Sequence, residues 1–296
     1  MKWEGRRQSD NVEDRRGEGG GGAGPGLPMR AFGGRGLSLG TVAIALIAGW
    51  IFGINPLTVL GLLSGGGAPA AYEQPAAPAH RPPANDRSAA FVRTVLADTE
   101  DVWAAVFKAS GKNYERPTLV LFSNATPTAC GQGEAAAGPF YCPGDHKVYI
   151  DLGFFETLRS RLGAPGDFAQ AYVIAHEVGH HVQNLMGVTE RMDRQRGRVS
   201  EAQMNALSVR VELQADCLAG VWAHHSQQSK GWLEKGDLEE ALNAATQIGD
   251  DTLQRNAGRR VVPESFTHGS SEQRMSWLKR GMASGDINQC NTFARS

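Results

Sequence analysis

The stretch YVIAHEVGHHVQ, residues 172–183, restricts this chain more than any other, because the residues in it work together only on a helix. His176 and His180 stand four positions apart, so on a helix both imidazoles lie on one face and can reach a single ion. Glu177 is offset from them by about 100°. It is then near such an ion without being aimed at it, which suits a base acting on metal-bound water. The plainer reading, two surface histidines on one helix face, fits poorly with the apolar neighbours Val173, Ile174, Ala175, Val178 and Val182. Asp167 is placed to cap this helix. His181 is turned about 100° away from His180 and gains no metal role from its spacing.

A catalytic zinc site needs a third protein ligand and an open position for water. The long motif H-E-x-x-H-x-x-G-x-x-H would put that ligand at 186, but Met186 stands there and Gln183 replaces the required glycine. The next candidates are Glu212 and Asp216 in VELQADCLAGVWA (211–223), again at i and i+4 on a predicted helix. One carboxylate can bind metal while the other accepts a hydrogen bond from the far nitrogen of a ligating histidine. Ala215, Ala219 and Gly220 are small enough to let this helix approach the first. In ESFTHGSSEQR (264–274), His268 is a candidate donor to a developing oxyanion, with Arg274 in an orienting or carbonyl-binding role. The same stretch reads as a helix start, with Ser270 or Ser271 as cap. His224 and His225 close a helix and face its dipole. His146 and His80 receive no role.

Along the chain, residues 1–35 carry seven Lys/Arg, five Asp/Glu and a glycine run with little apolar periodicity, and read as a disordered tail. Residues 37–63 contain no charged side chain over 27 positions, long enough for a membrane-spanning helix. The span is assigned to 36–63. It is too long, and too far from the start, for a cleaved signal peptide. Arg30 and Arg35 before it put the tail in the cytoplasm and the rest outside. Residues 64–86 form a Pro/Ala-rich linker, and 87–296 form one domain. In that domain the patterning predicts helices over 88–109, 153–162, 167–187, 200–227, 237–256 and 270–283, and strands over 116–124 and 146–152. The fold class is therefore α+β, a helix-rich domain with a small sheet, preceded by a single transmembrane helix. A formal net charge of −1 gives no reason to expect nucleic acid as a partner. Cys130, Cys142, Cys217 and Cys290 include no C-x-x-C pair, so a zinc ribbon is excluded and their pairing is open.

The chain resembles the bacterial neutral zinc metallopeptidase family, whose members are membrane-anchored and gluzincin-like. The likeness rests on MKWEGRRQSDNVEDRR, CGQG…GPFYCPGDHKVYIDLGFF, YVIAHEVGHHVQNLMG, ELQADCLAGVWA and FTHGSSEQRMSWLKRG. The last also resembles a T-H-P-x-x-x-x-R motif of another gluzincin family, with Gly269 in place of the proline. The resemblance implies a zincin-like fold and one Zn²⁺ per chain, held by His176, His180 and Glu212. Glu177 is then the base, His268 the oxyanion donor, and Asp216 and Arg274 the supporting residues. It also fits disulfides Cys130–Cys142 and Cys217–Cys290. The expected activity is hydrolysis of peptide bonds in extracytoplasmic proteins or peptides by a single-pass inner-membrane enzyme. A substrate is expected to lie along the 146–152 strand. The competing readings are a membrane-tethered scaffold that keeps zinc for structure, and an amidase acting on a cell-wall amide.

Overall fold

In the computed structural model, Leu119, Leu121, Val148 and Ile150 point to one face of a small sheet, while Val120, Phe122 and Tyr149 point to the other. That alternation is the two-residue period of a strand buried on both faces. The structure describes residues 1–18, 80–83 and 85–294, all in one folded unit. Its elements in chain order begin with β1 (Val12–Asp14), α1 (Arg87–Ala109), β2 (Thr118–Phe122), β3 (Ala125–Thr128) and β4 (Gly131–Glu134). Next come β5 (Phe140–Cys142), β6 (Lys147–Asp151), α2 (Gly153–Ser160), α3 (Asp167–Leu185) and α4 (Val188–Asp193). The chain ends with α5 (Glu201–Lys230), α6 (Asp237–Gln247), α7 (Asp250–Asn256) and α8 (Ser271–Ser284). The sheet runs β1-β2-β6-β5; the first three strands are parallel and β5 is antiparallel to β6. β3 and β4 form a separate hairpin.

Helices α1, α3 and α5 contribute to the core on one face of the sheet. Phe91, Val95, Leu96, Trp103 and Phe107 of α1 join Phe168, Ile174, Val178 and Val182 of α3 and Leu218 and Trp222 of α5 in one core. α3 and α5 approach closely where Gly179, inside the H-E-x-x-H motif, faces Ala215. A Cβ on Gly179 would lie 3.0 Å from the Ala215 carbonyl oxygen. Gly220 has a different partner from the one its sequence suggests, since it faces Leu278 and Met282 of α8. The helix starts are chemically specified. Asp86 accepts from the Ala89 N–H, and Ser200–Gln203 and Ser270–Gln273 form capping boxes before α5 and α8. Asp167 does not cap α3, whose cap is Gly166. The Asp167 carboxylate lies 2.8 Å from the Met1 amino group instead.

Two expectations are corrected. Residues 1–14 are not a disordered tail. Val12 pairs with Leu119 in the sheet, the Asp14 N–H donates to the His80 carbonyl, and Trp3 packs edge-on against Phe91. The ties are largely polar, which is why an apolar count misses them. The buried Glu100 carboxylate accepts from Ser9 Oγ (2.6 Å), Asn11 Nδ2 (2.8 Å) and Arg7 Nη2 (3.1 Å). The second correction concerns the membrane. The expected anchor at 36–63 falls outside the described residues. Among the described residues no helix is long and apolar enough to cross a membrane. The expected topology also fails at the sheet, because β1 comes from the supposed cytoplasmic side and bonds directly to β2 of the supposed outer domain. A single crossing cannot leave two neighbouring strands on opposite sides of a bilayer. Among the described residues the fold class is thus a helix-rich domain with a small sheet. The single-pass inner-membrane location and the bilayer contact through 36–63 are withdrawn with the expected anchor.

Glu100→Ala leaves three donors of the N-terminal segment facing a buried site without an acceptor. The expected loss of stability is about 3 kcal/mol in a denaturant titration. A loss below about 0.5 kcal/mol would show that the segment is not anchored there.

Candidate metal centre

α3 presents His176 and His180 one turn apart, and α5 crosses beside them carrying Glu212. His176 Nε2 lies 3.1 Å from Glu212 Oε2, and His180 Nε2 lies 3.5 Å from Oε1. One ligand atom from each of the three residues falls within 4.8 Å of the others. The three side chains line a cleft of about 1110 Å³ together with Glu177, His268 and Arg274. Glu177 is buried and sits next to His176 on the same helix.

The electrostatics favour positive charge between these groups. Burial alone would lower the His176 pKa, but Asp216 and Glu212 outweigh it and raise it to about 10. Burial likewise opposes a charged His180, and Glu212 again reverses the balance. Burial pushes Glu212 up, yet the charges of His180 and His176 hold its carboxyl well below the usual range. Glu177 is raised by burial, and the two histidines offset only part of that. Two imidazoles and a carboxylate that gather positive charge at one buried point are a fitting donor set for zinc.

Asp216 is fully buried under the first histidine. Its Oδ1 accepts from His176 Nδ1 at 2.8 Å and from the Tyr172 hydroxyl, and Arg274 donates Nε to Oδ2 at 2.9 Å and Nη2 to Oδ1 at 3.0 Å. Arg274 is therefore spent on Asp216 and also contacts the Tyr172 hydroxyl. Tyr172 was not singled out in the sequence, although it sits at i−4 from His176, the spacing that brings two side chains onto one face. His176 Nε2 is left facing Glu212.

His268 reaches the same cleft from the loop before α8 and is half-exposed. Asp250, at the start of α7, fixes this loop. Its Oδ2 accepts the N–H groups of Thr267, His268 and Gly269 at 2.8, 2.6 and 3.0 Å, and its Oδ1 lies 3.2 Å from His268 Nδ1. The bond to Asp250 raises the His268 pKa against the effect of burial. Asp250 carried no sequence signal, being 18 positions from His268 with no motif between them. Gly269 has φ +94°, a conformation closed to the proline found here in the related motif.

The remaining histidines have structural partners. His181 has its pKa lowered to about 4 by burial, so it is neutral. Its Nε2–H donates to the Glu115 carbonyl, leaving Nδ1 to accept from the Tyr141 hydroxyl at 3.0 Å. Asn184 also donates to that hydroxyl, which braces β5 against α3. His224 and His225 do not serve their own helix end. They donate to the Met282 and Gly285 carbonyls at the end of α8. The expected substrate strand, 146–152, is also corrected, because β6 lies between β2 and β5, paired with β5 over Lys147–Tyr149, and the sheet's edges are β1 and β5. The disulfides join Cys130 to Cys142 and Cys217 to Cys290. The first ties the β3–β4 turn to β5 beside the cleft, and the second ties the short 3₁₀ turn Ile287–Cys290 to α5.

The sequence model of the family described as "Putative neutral zinc metallopeptidase" matches residues 1–293. The chain is 51% identical over 296 residues to the uncharacterized protein YpfJ of Escherichia coli K12, covering all of both chains. It is 42% identical over 216 residues to the uncharacterized protein Rv2575 of Mycobacterium tuberculosis H37Rv, covering 69% of this chain and 71% of that one. No solved structure matches. The chain belongs to the neutral zinc metallopeptidase family.

Proposed function

We propose that this protein is a zinc-dependent endopeptidase in which His176, His180 and Glu212 hold the metal and Glu177 is the general base. The observation that carries this reading is the convergence of two imidazoles and one carboxylate from two helices at one point of an open cleft, with Glu177 adjacent. Among the described residues, the group that can share an ion at this point has three members. A structural zinc site is closed by four protein ligands, whereas a catalytic one has three and a free position, so the donor count favours catalysis over a scaffold.

When bound, zinc supplies Lewis acidity, lowering the pKa of water at its free position towards about 7 and polarising a carbonyl. The Glu177 carboxylate takes the proton of the attacking water and passes it to the leaving amine. His268, held by Asp250, donates to the carbonyl oxygen as that atom gains negative charge. Asp216 keeps the His176 Nδ1 proton in place, so that Nε2 faces the metal. Arg274 and Tyr172 hold Asp216 in turn. The substrate main chain adds to the outer edge of β5, whose Phe140 and Tyr141 line the cleft. Peptides and unfolded protein segments present the extended backbone that this mode requires.

Glu177→Gln in the full chain is expected to keep its zinc while kcat on an unbiased peptide library falls about 10²–10⁴-fold. Cleavage at the parental rate with metal retained would remove Glu177 from the mechanism. His268→Ala is expected to lower kcat about 10²-fold with little change in KM or zinc content. A change confined to KM would make His268 a binding residue instead.

A further inference from the structure

His180 is supported differently from His176, and the difference leads away from the cleft. Where His176 meets a carboxylate, His180 Nδ1 meets the side-chain oxygen of Gln183 at 2.8 Å, one turn further along α3. The direction of that bond is fixed by what lies behind it. Gln183 Nε2 is 2.7 Å from the Val211 carbonyl and 3.1 Å from Gln214 Oε1. Gln214 Nε2 is in turn 2.9 Å from the Cys290 carbonyl. A backbone carbonyl can only accept, so Val211 and Cys290 each hold the amide nitrogen of a glutamine towards themselves. Gln214 must then offer oxygen to Gln183, and Gln183 must offer oxygen to His180. His180 Nδ1 therefore carries the proton and Nε2 faces Glu212. Both glutamines are buried, so an amide that turns over sets its oxygen against a backbone carbonyl, acceptor facing acceptor, away from water. The Cys290 carbonyl is itself pinned, because Cys290 is bonded through sulfur to Cys217 of α5.

We propose that Gln183 is the positioning residue for His180, and that Gln214 and the disulfide-held Cys290 carbonyl set the orientation of Gln183. The inference rests on the metal ligands proposed above. It assigns a task to the C-terminal turn Ile287–Cys290, which otherwise lies behind the site: through two amides it selects the tautomer of a ligand. A neutral amide orients His180 without adding a further buried anion to the site, so the two ligand histidines are supported by one carboxylate and one amide.

The test is a chelator competition for zinc on the full chain, with Gln183→Leu, Gln214→Leu and the double variant. Gln183→Leu is expected to weaken zinc binding about 10–100-fold, the range for loss of a partner to a ligating histidine. Gln214→Leu is expected to weaken it less, and the double variant no more than Gln183→Leu alone, since links in one chain do not add. Nitrogen-15 NMR of the histidines in the metal-free protein, at a pH high enough for His180 to be neutral, reads the tautomer directly. The expected result is a protonated His180 Nδ1 in the parent and a mixture in both single variants, which a purely structural effect on stability would not produce. Zinc affinity within twofold of the parent in Gln183→Leu, or an unchanged His180 tautomer, would overturn the proposal. If the parent itself failed to bind zinc, the ligand assignment would fall, while the NMR result would still decide the role of Gln183.

Discussion

The Asp216 carboxylate is the interaction on which the rest of the site depends. It is fully buried and surrounded by donors from two other elements: Tyr172 and His176 from α3 and Arg274 from α8. A buried carboxylate is tolerated when its charge is paired and its lone pairs are filled, and here Arg274 supplies the charge. The same bonds tie three helices together and aim one imidazole. Asp is a short side chain, and it reaches because α3 and α5 meet almost backbone to backbone at Gly179 and Ala215. A larger residue at 179 would push the helices apart and take Asp216 away from His176, so the glycine inside the H-E-x-x-H motif is a packing requirement as well.

α8 makes a comparable approach from the other side. A Cβ on Gly281 would stand 1.9 Å from the Cys217 carbonyl oxygen, and Gly220 of α5 faces the Leu278 carbonyl. α5 thus lies between two close neighbours. Its residues divide accordingly: Glu212 and Asp216 face the candidate metal site, while Cys217 and Gly220 face α8 and the C-terminal turn. The cleft is walled by elements with separate fixings. β5 is tied through Cys142 to the β3–β4 turn and braced to α3 through Tyr141, and the His268 loop is gathered on Asp250. Two helices therefore form the candidate metal site, and surrounding loops shape access to it.

Much of this was legible in the sequence, for reasons that differ by residue. Periodicity located α3 and α5, and i,i+4 spacing brought out His176, His180, Glu212 and Asp216 as candidates that the structure gathers in one place. Arg274 could be named but not given a single partner, because its contact with Asp216 spans 58 positions. Tyr172 carried the same i,i+4 signal, but a tyrosine in a helix has no metal-ligand pattern of its own to mark it. Gln183 sits at i+3 from His180 on the same helix, whereas Asp250 and Gln214 act through isolated hydrogen bonds that leave no period or motif. The strand at 146–152 was visible from its pattern, but pattern does not say which strands flank it, and so the free edge was misplaced. The N-terminal segment was missed because a three-residue strand and a buried Glu100 hold it, where an apolar count looks for a hydrophobic face. The charge-free run at 37–63 invited a membrane topology that the pairing of β1 with β2 contradicts.

The central claim is that two histidines and one glutamate hold a single zinc with one position left open. X-ray absorption at the zinc edge, on the metal-loaded full chain, tests it most directly. The expected result is one zinc per chain with two imidazole nitrogens at about 2.0–2.1 Å and further oxygen scatterers at about 2.0–2.2 Å, at least one of which is lost in Glu212→Ala. Sulfur scattering at about 2.3 Å, or a shell unchanged in Glu212→Ala, would contradict it.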